Sequence, residues 1–221
     1  MRRRNASGVG GAAPVRVVLM GVVWAGVHSL LASRGAKGLF ARVAGSRGRD
    51  GLYRVAYNAQ SVATVALAAW WFARLPDRDL YRARPPWSLL FRAGQAGFLG
   101  VLFSGVRVVG LLEFAGLAPL WRALTGGESR PEPEAQGPPI GADGDMDQSG
   151  AFRFTRHPGN LGAMGLFLLW PRMTVNKATL AALVALYVVL GSAHEEVRLR
   201  AAYGEAFERY RRRVPFLIPR P

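Results

Sequence analysis

Two short motifs hold the most reactive side chains of this sequence. Residues 155–158 read TRHP and open an apolar segment, and residues 194–196 read HEE and close the next one. The roughly 35 residues between them are enough for two antiparallel helices at ~1.5 Å rise per residue. Such a hairpin returns both ends to one membrane face, so Arg156, His157 and the two glutamates should meet there. Charged and titratable groups at the mouth of an apolar hairpin are typical of a functional site.

The composition indicates an integral membrane protein. Half of the 221 residues are hydrophobic and the mean hydropathy is +0.12, although 29 residues are Lys or Arg. The apolar residues form long runs and the arginines lie mostly at the ends of these runs, where an anionic membrane surface attracts them. We therefore interpret the net charge of +15 as a membrane feature and predict no nucleic-acid partner.

The elements that must position the motifs are apolar helices. Runs near 18 residues or longer are typical of membrane spans, and one shorter run precedes the second motif. The fold class is thus all-α, a polytopic membrane bundle of about five transmembrane helices followed by an interfacial amphipathic helix after Glu196. The predicted spans are residues 15–33, 52–72, 93–117, 159–170 and 175–193. The first of these, with its preceding arginines, also fits a signal peptide, but we interpret it as a retained helix.

The remaining segments complete the predicted organisation. Residues 1–14 are expected to be disordered, and residues 15–124 to form a three-span membrane region that includes a basic loop at 34–50. Residues 125–149 read as an acidic flexible loop, either a lid or an inert insertion, and residues 150–221 as the C-terminal hairpin region. The Lys and Arg residues are more numerous in the loops on one side of the predicted spans, and this side should be cytoplasmic. The C-terminus and both motifs would then lie on the cytoplasmic face of a bacterial inner membrane. The N-terminal arginines argue against this orientation.

Several polar residues inside the apolar runs need partners. His28 is either a histidine near a helix end or a pocket-lining residue, and Tyr57 shares a helical face with Tyr53. Arg107 is expected to face the bundle interior or water, or to pair with Glu113. The sequence has no cysteine and three histidines at no zinc-like spacing, and residues 143–147 lack most of a calcium loop, so no metal site is predicted.

The two motifs resemble those of a known family. Residues 152–158, FRFTRHP, are similar to the "Y/FRxxRHPxYxG" entry of the isoprenylcysteine carboxyl methyltransferase family. Residues 195–215 resemble its "EExxLxxxYGxxYxxYxxxVP" ending, a pattern shared by phospholipid N-methyltransferases and bacterial methanethiol S-methyltransferases. The N-terminal half is similar to NnrU-like bacterial membrane proteins at residues 28–32 and 53–58. Asn160 stands where the family motif has tyrosine, a departure that bears on the acceptor more than on the cofactor.

The resemblance implies S-adenosylmethionine (SAM) as cofactor and methyl transfer to a small or lipophilic acceptor, such as a thiol, a carboxylate or a lipid headgroup. Arg156 would hold an ionised acceptor, whereas an amine or hydroxyl would need Glu196 or His157 as base. The predicted residues are Arg156 and Glu196 for catalysis; His157, Pro158, Gly162, Glu195, Tyr203 and Tyr210 for the cofactor; and His28, Tyr57, Asn58 and Asn160 for the substrate pocket.

Two other interpretations stay open. The rival function is a non-catalytic NnrU-like membrane factor that supports a respiratory or haem-related process, with His28 and His157 as candidate haem ligands. A purely structural interpretation is that residues 156–158 start a helix, since proline suits the first turn. Glu195 and Glu196 would then form ordinary helical ion pairs with Arg198 and Arg200, worth ~0.2–0.5 kcal/mol each. Membrane lipids are the expected partners, and the oligomeric state is left open.

Overall fold

The predicted all-α class is confirmed. The computed structural model describes residues 7–219 apart from 129, 132 and 134–136. The elements are α1 (Ser7–Leu31), α2 (Arg34–Phe72), β1 (Asp79–Arg82), α3 (Trp87–Val109), α4 (Leu111–Ala115), α5 (Leu117–Leu124), a 3-10 turn (Gly150–Arg153), α6 (Pro158–Leu168), β2 (Arg172–Thr174) and α7 (Val175–Arg213).

Three helices of the described chain are long and apolar enough to cross a membrane. They are Ala12–Leu31 within α1, Trp87–Val109 and Val175–Arg213. Helix α6 has 11 residues, too few to span ~30 Å of hydrocarbon at ~1.5 Å per residue. The predicted count of five spans therefore stays a prediction, as does the interfacial position of the last helix.

The N-terminal third is more helical than predicted. Helix α1 begins at Ser7, within the segment of residues 1–14 that was expected to be disordered, and residues 1–6 lie outside the described part. Residues 34–50, predicted as a loop, belong to α2. Ser33 caps this helix by accepting a hydrogen bond from the Ala36 amide at 3.2 Å. Gly45, with φ of 74°, interrupts the helix, which suits glycine because a positive φ costs it little.

A two-stranded sheet that the sequence did not predict closes one end of the bundle. Strand β1 pairs antiparallel with β2, so the segment after α2 is tied to the connection between α6 and α7. The Arg172 Nε atom lies 2.7 Å from Asp79 Oδ1, and buried Asn176 donates to the Pro76 carbonyl at 3.0 Å. Because the α6–α7 connection is fixed at this end, the two motifs lie at the opposite end of the hairpin.

Close packing of α3 against α6 sets the position of the first motif. A Cβ on Gly105 of α3 would lie 2.7 Å from the Pro158 ring, and one on Gly162 would lie 2.6 Å from the Phe98 carbonyl. Glycine at these contacts lets the two helix backbones approach closely, as in other membrane helix pairs. The start of α6 is therefore held directly against α3.

The second half of α7 packs into the main apolar core. Helix α7 breaks at Gly204, with φ of 53°. Beyond Glu196 its apolar side chains join buried residues from the preceding loop and the 3-10 turn. The buried cluster comprises Met146, Phe152, Leu199, Ala206, Phe207, Tyr210 and Val214. This packing fixes the C-terminal segment against the turn that leads into the first motif.

Part of the segment predicted as a flexible loop is docked on α7. Met146 is buried, and the Asp145 carboxylate lies 2.6 Å from Arg209 Nε and 3.0 Å from Arg213 Nη1. Hydrogen bonds from Arg209 and Arg213 lower the pKa of Asp145 below its ordinary value. Residues 137–149 are thus attached to the helix by both an apolar and an ionic contact.

One predicted ion pair has a different partner. The sequence offers Glu113 as a partner for Arg107, but the Glu113 carboxylate instead accepts two hydrogen bonds from Arg122, at 2.6 and 3.0 Å. The Arg107 side chain is exposed on α3. The helical break at Gly110, with φ of 95°, separates Arg107 from the α4–α5 region, and this local geometry favours Arg122.

Candidate functional site

Arg156 ties the two motifs and the C-terminal segment together. Its Nε atom lies 2.6 Å from Glu196 Oε1, and the two side chains are 8% and 14% exposed. Its Nη1 atom donates to the Arg211 carbonyl at 3.2 Å and also to the Val214 carbonyl. Its backbone amide donates to the Pro215 carbonyl at 3.0 Å. The guanidinium group therefore holds the end of α7 over the start of α6.

His157 lies between the two glutamates of the second motif. Its Nδ1 atom is 3.4 Å from Glu195 Oε2 and its Nε2 atom is 3.3 Å from Glu196 Oε1. The Phe216 ring covers the imidazole edge at a centroid distance of 5.3 Å, and His157 is 4% exposed. The predicted meeting of Arg156, His157 and both glutamates is confirmed by these contacts.

The environment of His157 favours its charged form. Burial disfavours the imidazolium, but hydrogen bonds and charge from Glu195 and Glu196 outweigh this effect and raise the pKa of His157 above its ordinary value. A protonated His157 donates from both ring nitrogens and so fixes both carboxylates in place.

We expect the stability of the protein to depend on pH through His157. The stabilisation linked to its raised pKa is fully present below the unfolded pKa of about 6.5 and is lost as the pH rises through the folded pKa. The melting temperature of the wild type should therefore exceed that of His157→Gln most at about pH 6, and the difference should shrink toward about pH 9. Thermal unfolding in detergent measures this difference. The matched control is His194→Gln, because His194 is exposed on α7. A difference that grows with pH would contradict the assignment.

One cavity of about 440 Å³ lies between α1, α2, α3, α6 and α7 and contains most of the predicted site. Its volume falls in the ~300–1,000 Å³ range of small-molecule and cofactor sites. The predicted residues that line it are His28, Tyr57, Asn58, Arg156, His157, Pro158, Asn160 and Glu195. The residues predicted for the cofactor and those predicted for the substrate thus share one space, although they come from opposite ends of the chain.

Two of these lining residues also hold the bundle together. Asn58 donates to the carbonyls of Phe114 and Ala115 at 2.9 and 3.0 Å, which satisfies the end of helix α4. Asn160 donates to the Ser192 hydroxyl at 2.8 Å and so joins α6 to α7. Their amide groups are committed to these contacts, and each side chain presents its remaining surface to the cavity.

Glu196 faces a second, strongly basic cavity on the other side of Arg156. This cavity has a volume of about 580 Å³. Arg156 lines both cavities, whereas Glu195 lines the first and Glu196 the second. The two adjacent glutamates therefore have different surroundings, since successive residues of a helix point about 100° apart. The second cavity is lined by Arg153, Phe154, Arg156, Glu196, Arg211, Arg212, Arg213, Val214, Pro215, Phe216 and Pro219.

Three predicted cofactor residues lie outside the first cavity. Tyr210 is 2% exposed and donates to the Phe152 carbonyl at 2.8 Å, so it anchors the turn before the first motif. Tyr203 is half-buried beside Gly137 and lines a separate pocket of about 240 Å³. Gly162 is buried at the α3–α6 contact. Their cofactor roles stay predictions. In the structure these residues make packing and hydrogen-bond contacts next to the site.

Gly162→Ala is expected to destabilise the bundle by about 1–3 kcal/mol through overpacking. The added Cβ would lie 2.6 Å from the Phe98 carbonyl and 3.0 Å from the Leu102 amide, which are backbone atoms that cannot rotate away. Gly97→Ala on α3 is the matched control, because its Cβ would meet nothing within 4 Å. Thermal unfolding in detergent compares the two, and equal melting temperatures would refute a packing role for Gly162.

The sequence interpretation missed several residues that line the cavity. Arg54, Tyr187 and Arg198 contribute a guanidinium, a phenol and a second guanidinium to it. Arg54 is buried, and Arg198 donates to the Ala32 carbonyl at 3.4 Å, which ties α7 to the end of α1. A signal was present in Arg198, which follows Glu195 by three residues and so shares its helical face. Tyr187 lies in an apolar run and gave no such signal.

The fold and the site together define a class of protein: a helical membrane protein with a polar, partly charged cavity where a buried Arg–His–Glu cluster closes a helical hairpin. Comparisons with curated proteins found several similar sequences. A methanethiol S-methyltransferase of Mycobacterium tuberculosis is 28% identical over 98% of this chain and 82% of its own length. One from Crocosphaera subtropica is 38% identical over 31% of this chain and 27% of its own length. Methanethiol S-methyltransferase 1 of Bradyrhizobium diazoefficiens is 29% identical over 54% of this chain and 38% of its own length.

These matches confirm the family resemblance predicted from the two motifs. These relatives are named methanethiol S-methyltransferases, and the similarity supports the isoprenylcysteine carboxyl methyltransferase-like family that the two motifs suggest. The matched region spans less than two fifths of the first two relatives and most of the third. No family model and no solved structure matched the chain. The resemblance of the N-terminal half to NnrU-like proteins stays a prediction.

Proposed function

We propose that this protein is a SAM-dependent methyltransferase that acts at the membrane on a small or lipophilic thiol. The observation that carries the proposal is the single cavity that joins both motifs to the polar residues of α1 and α2. The names of the relatives support methyl transfer and favour a thiol among the acceptors considered, and they do not favour a haem-related factor.

The chemistry of the cavity lining fits SAM. The cofactor presents a carboxylate, an ammonium group, a ribose diol, an adenine ring and a sulfonium cation. Arg54 and Arg198 line the cavity, and a guanidinium group can form two parallel hydrogen bonds with a carboxylate. Glu195 offers an acceptor for the ammonium or the ribose hydroxyls. Tyr57 and Tyr187 offer aromatic faces of the kind that attract a cation.

The protein's own contribution to the reaction is to orient the reactants and exclude water. When bound, SAM supplies a methyl group on a sulfonium, which moves to the acceptor by an in-line displacement. His157 holds the Glu195 carboxylate on the cavity wall, and the Arg156–Glu196 pair keeps the C-terminal segment closed behind them. This closure lowers the local dielectric and strengthens each polar contact inside.

The geometry favours a supporting role for Arg156 and Glu196. The Arg156 guanidinium donates to the Glu196 carboxylate and to two backbone carbonyls. Glu196 itself faces the second cavity. We infer that the pair acts by holding the closed site, and that the acceptor lies on the α1–α2 side of the first cavity. The site face is proposed to be cytoplasmic, in a bacterial inner membrane, as the loop charges indicate.

SAM binding to the detergent-purified protein tests the proposal. Isothermal titration calorimetry should give saturable binding, and incubation with SAM and an alkanethiol should give the methylated thioether in stoichiometric amount with S-adenosylhomocysteine. A folded protein that binds no SAM in detergent or in lipid nanodiscs would refute the proposal. A Soret band on haem addition, lost in His28→Ala, would point to the rival function instead.

A further inference from the structure

A cluster of polar and aromatic side chains surrounds His28 on the wall of the first cavity. The His28 Nε2 atom lies 2.6 Å from the Tyr57 hydroxyl, and its Nδ1 atom lies 3.2 Å from the Ser61 hydroxyl. The Trp24 ring stacks on the imidazole with centroids 4.7 Å apart and an angle of 17° between the planes. Tyr187 of α7 meets the imidazole edge-on at 6.4 Å.

This arrangement has the form of an oriented base. The imidazole lies parallel to the Trp24 ring, and Ser61 contacts its Nδ1 atom. The Tyr57 hydroxyl, which faces the cavity, is 2.6 Å from Nε2 and 3.2 Å from Nδ1. A base that is itself oriented by a third group is the recurring geometry of activated nucleophiles. The cluster lies inside an apolar bundle, where polar side chains are costly and tend to be functional.

We propose that Tyr57 and His28 form the relay that takes the proton from the acceptor thiol. The inference rests on the proposed methyltransferase function and names a role within the same site. The acceptor S–H gives its proton to the Tyr57 oxygen while the Tyr57 hydroxyl proton moves to His28 Nε2. The thiolate sulfur then forms a bond to the methyl carbon as the bond from that carbon to the sulfonium breaks. The proton stays on His28 until the products leave, so atoms and charge balance.

A thiol is the acceptor that this relay would serve, because the thiolate and not the thiol is the nucleophile. A base within hydrogen-bond reach of the S–H group can remove the proton as the sulfur attacks. An acceptor that is already a carboxylate would need no base, and His28 and Tyr57 would then have no part in proton transfer.

The other candidate bases of the cavity are engaged elsewhere. His157 contacts both glutamates through its two ring nitrogens. Glu195 lies beside the raised-pKa imidazole of His157 and is better suited to bind a cationic group. The titratable and charged groups that interact electrostatically with Tyr57 are Tyr53 and Arg54 from α2 and Tyr187 and Arg198 from α7.

The test compares methyl transfer to two thiols in Tyr57→Phe and His28→Gln. With an alkanethiol at neutral pH, both variants should lose about 10²–10⁴-fold in kcat, while their SAM dissociation constants change less than about threefold. The rate of each variant should rise with pH toward the ionisation of the thiol, and an aryl thiol that is ionised at neutral pH should be methylated at nearly the wild-type rate. Ser61→Ala should show a smaller loss of the same kind.

Tyr81→Phe is the matched control, because Tyr81 lies on β1 at the opposite end of the bundle, where its hydroxyl meets the Trp170 carbonyl at 3.1 Å. Variants that methylate the alkanethiol at the wild-type rate, or that lose equal activity with both thiols, would overturn the relay. A wild-type protein that binds no SAM and methylates neither thiol would refute the proposed function itself, a different result from a wild type that is active and variants that are unaffected.

Discussion

Arg156→Ala is expected to lower the free energy of unfolding by about 3–5 kcal/mol, the usual cost of removing one partner of a buried ion pair. The substitution leaves the Glu196 carboxylate, 14% exposed, without its guanidinium. It also removes the donor to the Arg211 and Val214 carbonyls. The end of α7 should therefore separate from the start of α6, and methyl transfer should be lost with it.

Chemical or thermal unfolding in detergent measures this loss. Arg153→Ala is the matched control, since Arg153 is exposed and contacts the Phe154 ring at 4.8 Å, and it should change stability by less than about 0.5 kcal/mol. The double variant Arg156→Met with Glu196→Leu should recover part of the loss, because an apolar pair leaves no charge unpaired. A single variant that unfolds like the wild type would exclude the clamp role of Arg156.

Glu195→Gln is expected to weaken SAM binding by about 10–100-fold, which corresponds to the loss of a charge-assisted hydrogen bond of about 1.5–3 kcal/mol. Glu195 is the carboxylate of the second motif that lines the first cavity, and its position is fixed by His157 Nδ1 at 3.4 Å. Glutamine keeps the shape but loses the charge that an ammonium group prefers. The effect should appear in the dissociation constant for SAM, together with a lower melting temperature below about pH 6.5, because Glu195 is one of the two carboxylates that stabilise the His157 imidazolium.

Calorimetry on the variant and the wild type measures this change. Glu208→Gln is a suitable control on the same helix, because Glu208 pairs with Arg200 at 2.6 Å on an exposed surface away from the cavity. Glu196→Gln is a useful second variant. If Glu196 acts through Arg156, this variant should have a lower melting temperature and a nearly unchanged dissociation constant for SAM. Equal SAM affinity in Glu195→Gln and the wild type would show that the carboxylate does not contact the cofactor.

The sequence by itself determined that the two motifs would meet. The apolar segments between residues 158 and 193 could bury their side chains as a helical hairpin, and a hairpin must bring its ends together. The contacts of Arg156 and His157 with the two glutamates confirm this. The all-α class and the membrane character also followed from the segregation of apolar runs and arginines. The family resemblance followed from the two motifs and is confirmed by the relatives.

The tertiary structure alone decided which predicted residues face the cavity. Glu195 and Glu196 are adjacent in sequence, but the rotation of α7 places one on each side of Arg156. Gly162 and Tyr210 lie in helix contacts, because the α3–α6 approach and the turn before α6 are set by packing between distant segments. Sequence motifs record residue types, whereas the direction of a side chain depends on the neighbours that the whole bundle provides.

The helix of residues 34–50, the β1–β2 pair and the inclusion of His28 and Tyr57 in the same cavity as Glu195 also depended on tertiary structure. The strand pair and the shared cavity involve contacts between residues that are far apart in sequence. Hydrophobic patterning predicted helices at residues 15–33 and 52–72, but only the packing of α1 against α2 and α7 determined that the His28 imidazole lines the cavity behind the second motif.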